Sequence, residues 1–269
     1  MSGFSAEWLA LRESYDLRAR NPIVLEAVAT LFKSHDAVSV VDLACGAGST
    51  VRALSSHLPA RQHWDLVDSD QRLLTLACSG KSIGDVRLNA VPLDLSGNFE
   101  AVLDSTKELI TISALLDLVS ETWLDRFARI IAARALPVYA ALTYDGRIDL
   151  SPADPLDATI ASAVNAHQHT DKGFGPALGP SAAAAAPSMF EALGYSVVHG
   201  SSDWLIGTAD QEIQLELLAG WATAAREVEA LPLCDIDDWL ARRKDEVGAR
   251  ASTMRVGHVD FFATPIATR

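Results

Sequence analysis

Val40–Thr50 reads VVDLACGAGST. Two β-branched residues run into Asp42, Gly46 and Gly48 stand one residue apart, and Ser49 and Thr50 open a helix. A buried strand turning sharply into a helix floors the ligand crevice of an open parallel sheet, which lies outside the carboxyl ends of the strands. The glycines let the backbone turn and approach a ligand with no Cβ in the way. Three ligand classes compete for such a turn. A nucleoside-triphosphate loop needs a lysine before its closing Ser/Thr, and none is present. A dinucleotide loop needs a third small residue three positions after the second glycine, and that position is Val51. Asp42, four residues before Gly46, suits an ammonium better than a pyrophosphate by charge complementarity.

Outward from this turn, strand and helix signals alternate. Strands are expected at Val38–Leu43, Trp64–Asp68, Val86–Val91, Leu109–Ser113, Pro137–Tyr144, Tyr195–His199 and Val259–Thr264. Helices are expected at Ala6–Arg12, Pro22–Phe32, Ser49–Leu58, Gln71–Cys78, around Trp123–Ile131, Gln211–Val228 and Ile236–Lys244. The alternation predicts a Rossmann-like, doubly wound α/β fold with a mostly parallel seven-stranded sheet. One domain is expected over 1–269, with a helical segment at 1–35. The pattern breaks over Asp145–Pro187, which holds five prolines and the run SAAAAAP. This stretch, 145–187, is expected as a cap after the fifth strand: a helix at Leu156–His167, then a flexible glycine-rich loop.

VVDLACGAGST resembles motif I of the class I S-adenosylmethionine-dependent methyltransferases, an acid followed after three residues by glycine-x-glycine. The later motifs of that family follow in order. Asp68, closing WDLVDSD, stands 20 residues after Gly48, where a carboxylate can accept from both ribose hydroxyls; Asp65 and Asp70 compete for the role. PLDLSG sets Asp94 and Leu95 after the third strand, where the family binds adenine. TISALLD ends the fourth strand where the family holds the reacting methyl. The resemblance covers about 38–144. It implies S-adenosyl-L-methionine as cofactor, S-adenosyl-L-homocysteine as product, and a cofactor site of Asp42, Ala44, Gly46, Gly48, Asp68, Ser69, Asp94, Leu95 and Ser113. Arg20, from a leading helix, is a candidate partner for the methionine carboxylate.

The acceptor is harder to read. No N/D-P-P-Y/F tetrapeptide follows the fourth strand, and no Pro–Cys pair is present, which argues against the nucleobase methylases. Asp117 alone is thin support for a magnesium-dependent site, and no metal is expected. His169 is the first candidate for a general base, because its titration range suits the task, and Asp117 is a second catalytic candidate. Tyr15, Tyr144, His167 and Lys172 are candidate substrate residues; for each, a solvated or packing role stands beside the functional one. The expected activity is in-line methyl transfer to the oxygen or nitrogen of a small molecule. The alternative is a non-catalytic methyltransferase-like binding or interaction protein.

The chain has 269 residues, 49% hydrophobic and 21% charged, with 22 basic against 35 acidic residues and a net charge of −13. That balance disfavours nucleic acid and anionic membranes as partners, and no run of about 20 apolar residues is present. Three separated cysteines without a C-x-x-C pair indicate neither a disulfide framework nor a zinc site. MSGFSAEWLALRE carries charge too early for a signal peptide. A cytoplasmic monomer or homodimer with a small-molecule substrate is expected.

Overall fold

The strand that ends in the glycine turn, β1 (Ala37–Leu43), runs through the middle of the sheet. The computed structural model describes residues 4–79 and 84–266. Parallel to β1 lie β2 (Arg61–Asp68) on one side and β4 (Leu109–Ser113) on the other; β3 (Asp85–Pro92) flanks β2, and β5 (Val138–Ser151) flanks β4. Beyond β5, the long β8 (Thr253–Pro265) runs antiparallel and carries β6 (Tyr195–Ser201) and β7 (Trp204–Ile206) along its far side. The order is β3-β2-β1-β4-β5-β8-β6, with β7 also on β8. The reversal between β1 and β4 is the switch point at which such sheets bind ligands.

The sheet has eight strands, not the expected seven; the added one is β7, three residues paired with β8. β5 also continues seven residues past Tyr144, to Ser151, so the excursion starts later than Asp145. Ile148 and Leu150 pack inward and alternate with Arg147 and Asp149, the period-2 pattern of a half-buried strand. Two register shifts against β8 bend it on the way. One shift frees the backbone N–H of Leu142 from the ladder, and Asp260 Oδ1 accepts it at 2.8 Å. At the second, Gly257 leaves room for Asp145: a Cβ there would lie 2.2 Å from Asp145 Oδ1.

Helices cover both faces. On one, α5 (Glu121–Ala133) and α7 (Ala182–Ala192) bury Trp123, Phe127 and Phe190 against the central strands. The alanine run is a close-packed face, with Ala182 and Ala186 fully buried. On the other, α2 (Pro22–Phe32) and α3 (Ser49–Leu54) bury Val24, Val28, Phe32 and Leu54. A third apolar cluster joins α6 (Asp157–Gln168), α8 (Gln211–Glu227) and α9 (Leu233–Gly248), with Trp221 and Trp239 inside it. The first helix, α1 (Ala6–Ala19), is longer than expected and lies across the carboxyl end of the sheet. No described helix is long and apolar enough to cross a membrane.

Candidate active site

The glycine turn owes its shape to three left-handed residues in five: Ala44 (φ 54°), Gly46 (φ 53°) and Gly48 (φ 79°). Cys45 N–H bonds Val67 O at 3.0 Å and Gly48 N–H bonds Cys45 O at 2.9 Å, tying the turn to the end of β2. Gly48 caps α3 and packs on α4 (Gln71–Cys78), so closely that a Cβ would lie 3.1 Å from the Ala77 methyl. Only glycine satisfies both the dihedral and the space.

Asp68 closes the same ring. Its Oδ2 accepts from Gly46 N–H and its Oδ1 from Asp70 N–H, both at 2.9 Å. Each oxygen keeps a lone pair for a further donor. The two competing acids have other tasks. Asp65 is buried against Lys107 at 2.5 Å and accepts from Asn89 at 2.9 Å. Asp70 caps α4, accepting from the N–H of Arg72 and Leu73. Ser69 is exposed beside Asp68.

Asp42 is fully buried at the end of β1. Thr111 donates to its Oδ1 at 2.6 Å, whereas Oδ2 has no partner. Burial pushes its carboxyl up to about 7, although Thr111 and the positive charge of Arg20 work against the rise. Arg20 reaches this point because Pro22 forbids α1 from continuing: the residues before it leave the helix, and Asn21 caps α2. Asp260 Oδ2 anchors the corner by accepting Asn21 N–H at 2.9 Å. The Arg20 guanidinium, 5% exposed, donates to Ser113 Oγ at 3.0 Å and stacks over Tyr139, but its Nε has no partner. A buried cation and a buried carboxylate thus flank the turn, each with an unused polar atom. Helix α1 roofs them. Leu9 Cδ1 lies 3.3 Å from where a Gly46 Cβ would stand, Glu13 pairs with Arg52 of α3, and Arg52 also bonds Ala47 O at 2.9 Å.

Beyond β4, Asp117 is 6% exposed and its Oδ1 lacks a partner. Burial pushes this carboxyl up to about 6, against hydrogen bonds from its own N–H and that of Tyr144 and the charges of Arg12 and Lys172. Arg12, paired with Asp16 at 3.0 Å, lies over the Trp204 ring. His258 on β8 packs between Trp204 and Tyr144; burial drives it down to about 3, so the ring is neutral, and its Nδ1 has no partner.

The other expected residues have partners of their own. His169 is exposed, its Nδ1 meets Ala177 O at 3.2 Å, and its ring packs on Gly179. Tyr15 is buried, and its hydroxyl ties α1 to Asp210 at 2.8 Å. Tyr144 gives its hydroxyl to Asn165 at 2.8 Å. Leu95 is buried in the main core, and its carbonyl accepts from Trp123 Nε1 at 2.7 Å. Asp94 is exposed and accepts Ser96 N–H at 2.9 Å in a local turn. The cap loop is held, not loose. Asp171 Oδ1 accepts from Gly173 and Gly175, Phe174 packs edge-on against Trp123, and Leu178 N–H bonds Val119 O at 2.8 Å. Arg12, His258 and Asp260 are residues that the sequence reading missed. His258 and Asp260 had a signal, polar groups inside the apolar run GHVDFFAT.

No protein-family model and no curated protein sequence matches the chain. Solved structures do. A cyclopropane-fatty-acyl-phospholipid synthase-like protein from Lactobacillus casei is 13% identical over 97% of this chain and 94% of its own, with a TM-score of 0.53. A Bacillus halodurans protein proposed as a methyltransferase is 13% identical over 90% of this chain and 99% of its own, with a TM-score of 0.50. The fold is that of the class I methyltransferases. A Geobacter sulfurreducens S-adenosylmethionine-dependent methyltransferase, solved with S-adenosyl-L-homocysteine, is 16% identical over 99% of this chain and 100% of its own, with a TM-score of 0.45. Within this methyltransferase fold, the turn, Asp68 and Asp42 occupy the switch-point end of β1 and β2.

Proposed function

We propose that this chain is an S-adenosyl-L-methionine-dependent methyltransferase acting on the oxygen or nitrogen of a small molecule. The observation that carries the reading is the pair of unpartnered, buried, oppositely charged groups beside the glycine turn, Asp42 Oδ2 and Arg20 Nε. Unsatisfied buried charges are expensive. A zwitterionic amino-acid end repairs both: its ammonium suits Asp42 and its carboxylate suits Arg20. The free lone pairs of Asp68 suit ribose hydroxyls, and Gly46 and Gly48 give the backbone close approach. S-adenosylmethionine bound there supplies a methyl group on a cationic sulfur, a leaving group that needs no activation.

The chain's own residues do the remainder. Arg20 and Ser113 bring positive charge and a hydroxyl to the tip of β4. Helix α1 excludes water, which strengthens each charged contact beneath it. Asp117, past the end of β4, is a carboxylate above about pH 6 with one oxygen free to take a proton from the acceptor. Holding acceptor and methyl in line supplies most of the acceleration, up to roughly 7–11 kcal/mol in ideal intramolecular cases; proton removal adds roughly 10²–10⁴-fold. The test is transfer of tritium from [methyl-³H]S-adenosylmethionine to a pooled metabolite extract, with formation of S-adenosylhomocysteine followed in parallel. Stoichiometric label and product support the reading, and neither forming above the no-protein rate contradicts it.

A further inference from the structure

The cap carries a chain of contacts that cofactor binding does not use. Glu227, at the end of α8, meets His167 Nε2 at 2.7 Å, and His167 Nδ1 meets Lys172 Nζ at 3.4 Å. Lys172 also donates to Thr170 Oγ1 at 2.9 Å. An ammonium can only donate, so His167 Nδ1 accepts and its Nε2 carries the proton toward Glu227. The tautomer is thereby fixed, and two of the three Lys172 N–H groups are directed. The third meets no acceptor among the described residues.

The loop that bears Lys172 is fastened to the loop that bears Asp117. Gly179 N–H bonds Asp117 O at 2.9 Å, and Ser120 and Ala177 form an isolated β-bridge. Lys172 is half-buried, and its charge acts on Asp117. A cation with a spare donor and a buried carboxylate with a spare acceptor therefore stand on two adjoining loops beyond β4. A plain amine satisfies Asp117 but sets a second cation against Lys172. A plain acid satisfies Lys172 but is repelled by Asp117.

We propose that Lys172 and Asp117 are the two poles of an acceptor subsite for a small amino or hydroxy carboxylic acid. The acceptor's carboxylate lies on Lys172 and its methylatable N–H or O–H on Asp117, with His167 and Glu227 as positioning residues for Lys172. The proposal rests on the methyltransferase reading. In the transfer, the acceptor's lone pair forms the bond to the methyl carbon. The carbon–sulfur bond breaks with its electron pair left on sulfur, and the acceptor's proton passes to Asp117 Oδ1.

The experiment measures transfer from [methyl-³H]S-adenosylmethionine by the full chain to glycine, β-alanine, anthranilate and salicylate. Ethylamine, aniline and phenol are the monofunctional controls. Label is expected on at least one bifunctional acid and at background on the controls. Lys172→Met is expected to raise the acceptor KM roughly 10–100-fold, the worth of one charge-assisted hydrogen bond, with a smaller change in kcat. Lys172→Arg restores part of the loss, and His167→Ala moves KM the same way by less. Calorimetry with S-adenosylhomocysteine on each variant keeps folding and cofactor binding apart from acceptor recognition. Equal labelling of the controls, an unchanged KM in Lys172→Met, or no labelled acid while S-adenosylhomocysteine still binds overturns the subsite. No S-adenosylhomocysteine binding to the native chain overturns the reading beneath it as well.

Discussion

Replacing Asp42 by Asn is expected to make the ligand-free protein more stable while destroying its site. Burial raises the Asp42 carboxyl from 3.8 to about 7 in the folded chain. Between those values the folded state holds a proton that the unfolded state has released, so stability falls as pH rises from about 4 to about 7 and is level above. At 1.36 kcal/mol per pK unit, the charged carboxylate costs about 4 kcal/mol at pH 8, an upper figure. Asn keeps the bond from Thr111 but leaves its amide N–H₂ where Oδ2 has no partner, which returns about 1–2 kcal/mol of that gain. The net is about 2–3 kcal/mol, or a Tm rise of roughly 5–10 °C for a chain of this size. Scanning calorimetry of both proteins at pH 5, 6, 7 and 8 should show the difference growing from near zero at pH 5 to its full value by pH 7–8. S-adenosylhomocysteine should then raise the Tm of the native chain and not of the variant. A variant less stable than native at pH 8, or a Tm difference that ignores pH, would refute the reasoning.

Other expectations separate structure from site. Asp65→Ala leaves Lys107, whose side chain is 3% exposed, only Asp104 at 3.7 Å, and should cost about 3 kcal/mol in urea unfolding while leaving S-adenosylhomocysteine affinity nearly unchanged in the folded fraction. Gly48→Ala forces a Cβ to φ 79° and within 3.1 Å of Ala77, so a loss of about 1–3 kcal/mol is expected in the same assay, with weaker cofactor binding from a displaced turn. For methyl transfer, kcat/KM should decline as pH falls below about 6, because Asp117 must be ionised to accept a proton; Arg12, Lys172 and the Tyr144 N–H oppose its burial. Asp117→Asn should remove that limb of the profile along with most of the rate, and an unaltered profile in the variant would exclude Asp117 as the base.

The parallel half of the fold was legible because its signals are local. Hydrophobic runs, the glycine pair and helix caps such as Asn21 each act within a few residues, and Pro22–Phe32 and Gln71–Cys78 match to the residue. The antiparallel edge was less legible, since β7 has only three residues and β5 continues through two register shifts. Its clue, Ile148 and Leu150 alternating with charge, was overridden by the prolines that follow. At the site, Asp68 emerges among three acids only when Asp65 is seen paired with Lys107 and Asp70 seen capping α4. Arg12 and His258 come together only through Trp204, which each of them touches, although more than two hundred residues of chain separate them, and no local pattern encodes such a meeting.

The most direct test of the central claim is isothermal titration of the native chain and of Asp68→Ala with S-adenosyl-L-homocysteine. The native chain should bind one equivalent, and the variant should bind at least roughly 100-fold more weakly, because it loses two charge-assisted acceptors and the carboxylate that holds Gly46 N–H at 2.9 Å. No binding to the native chain, or equal affinity in the two proteins, would contradict the assignment of this crevice to the cofactor.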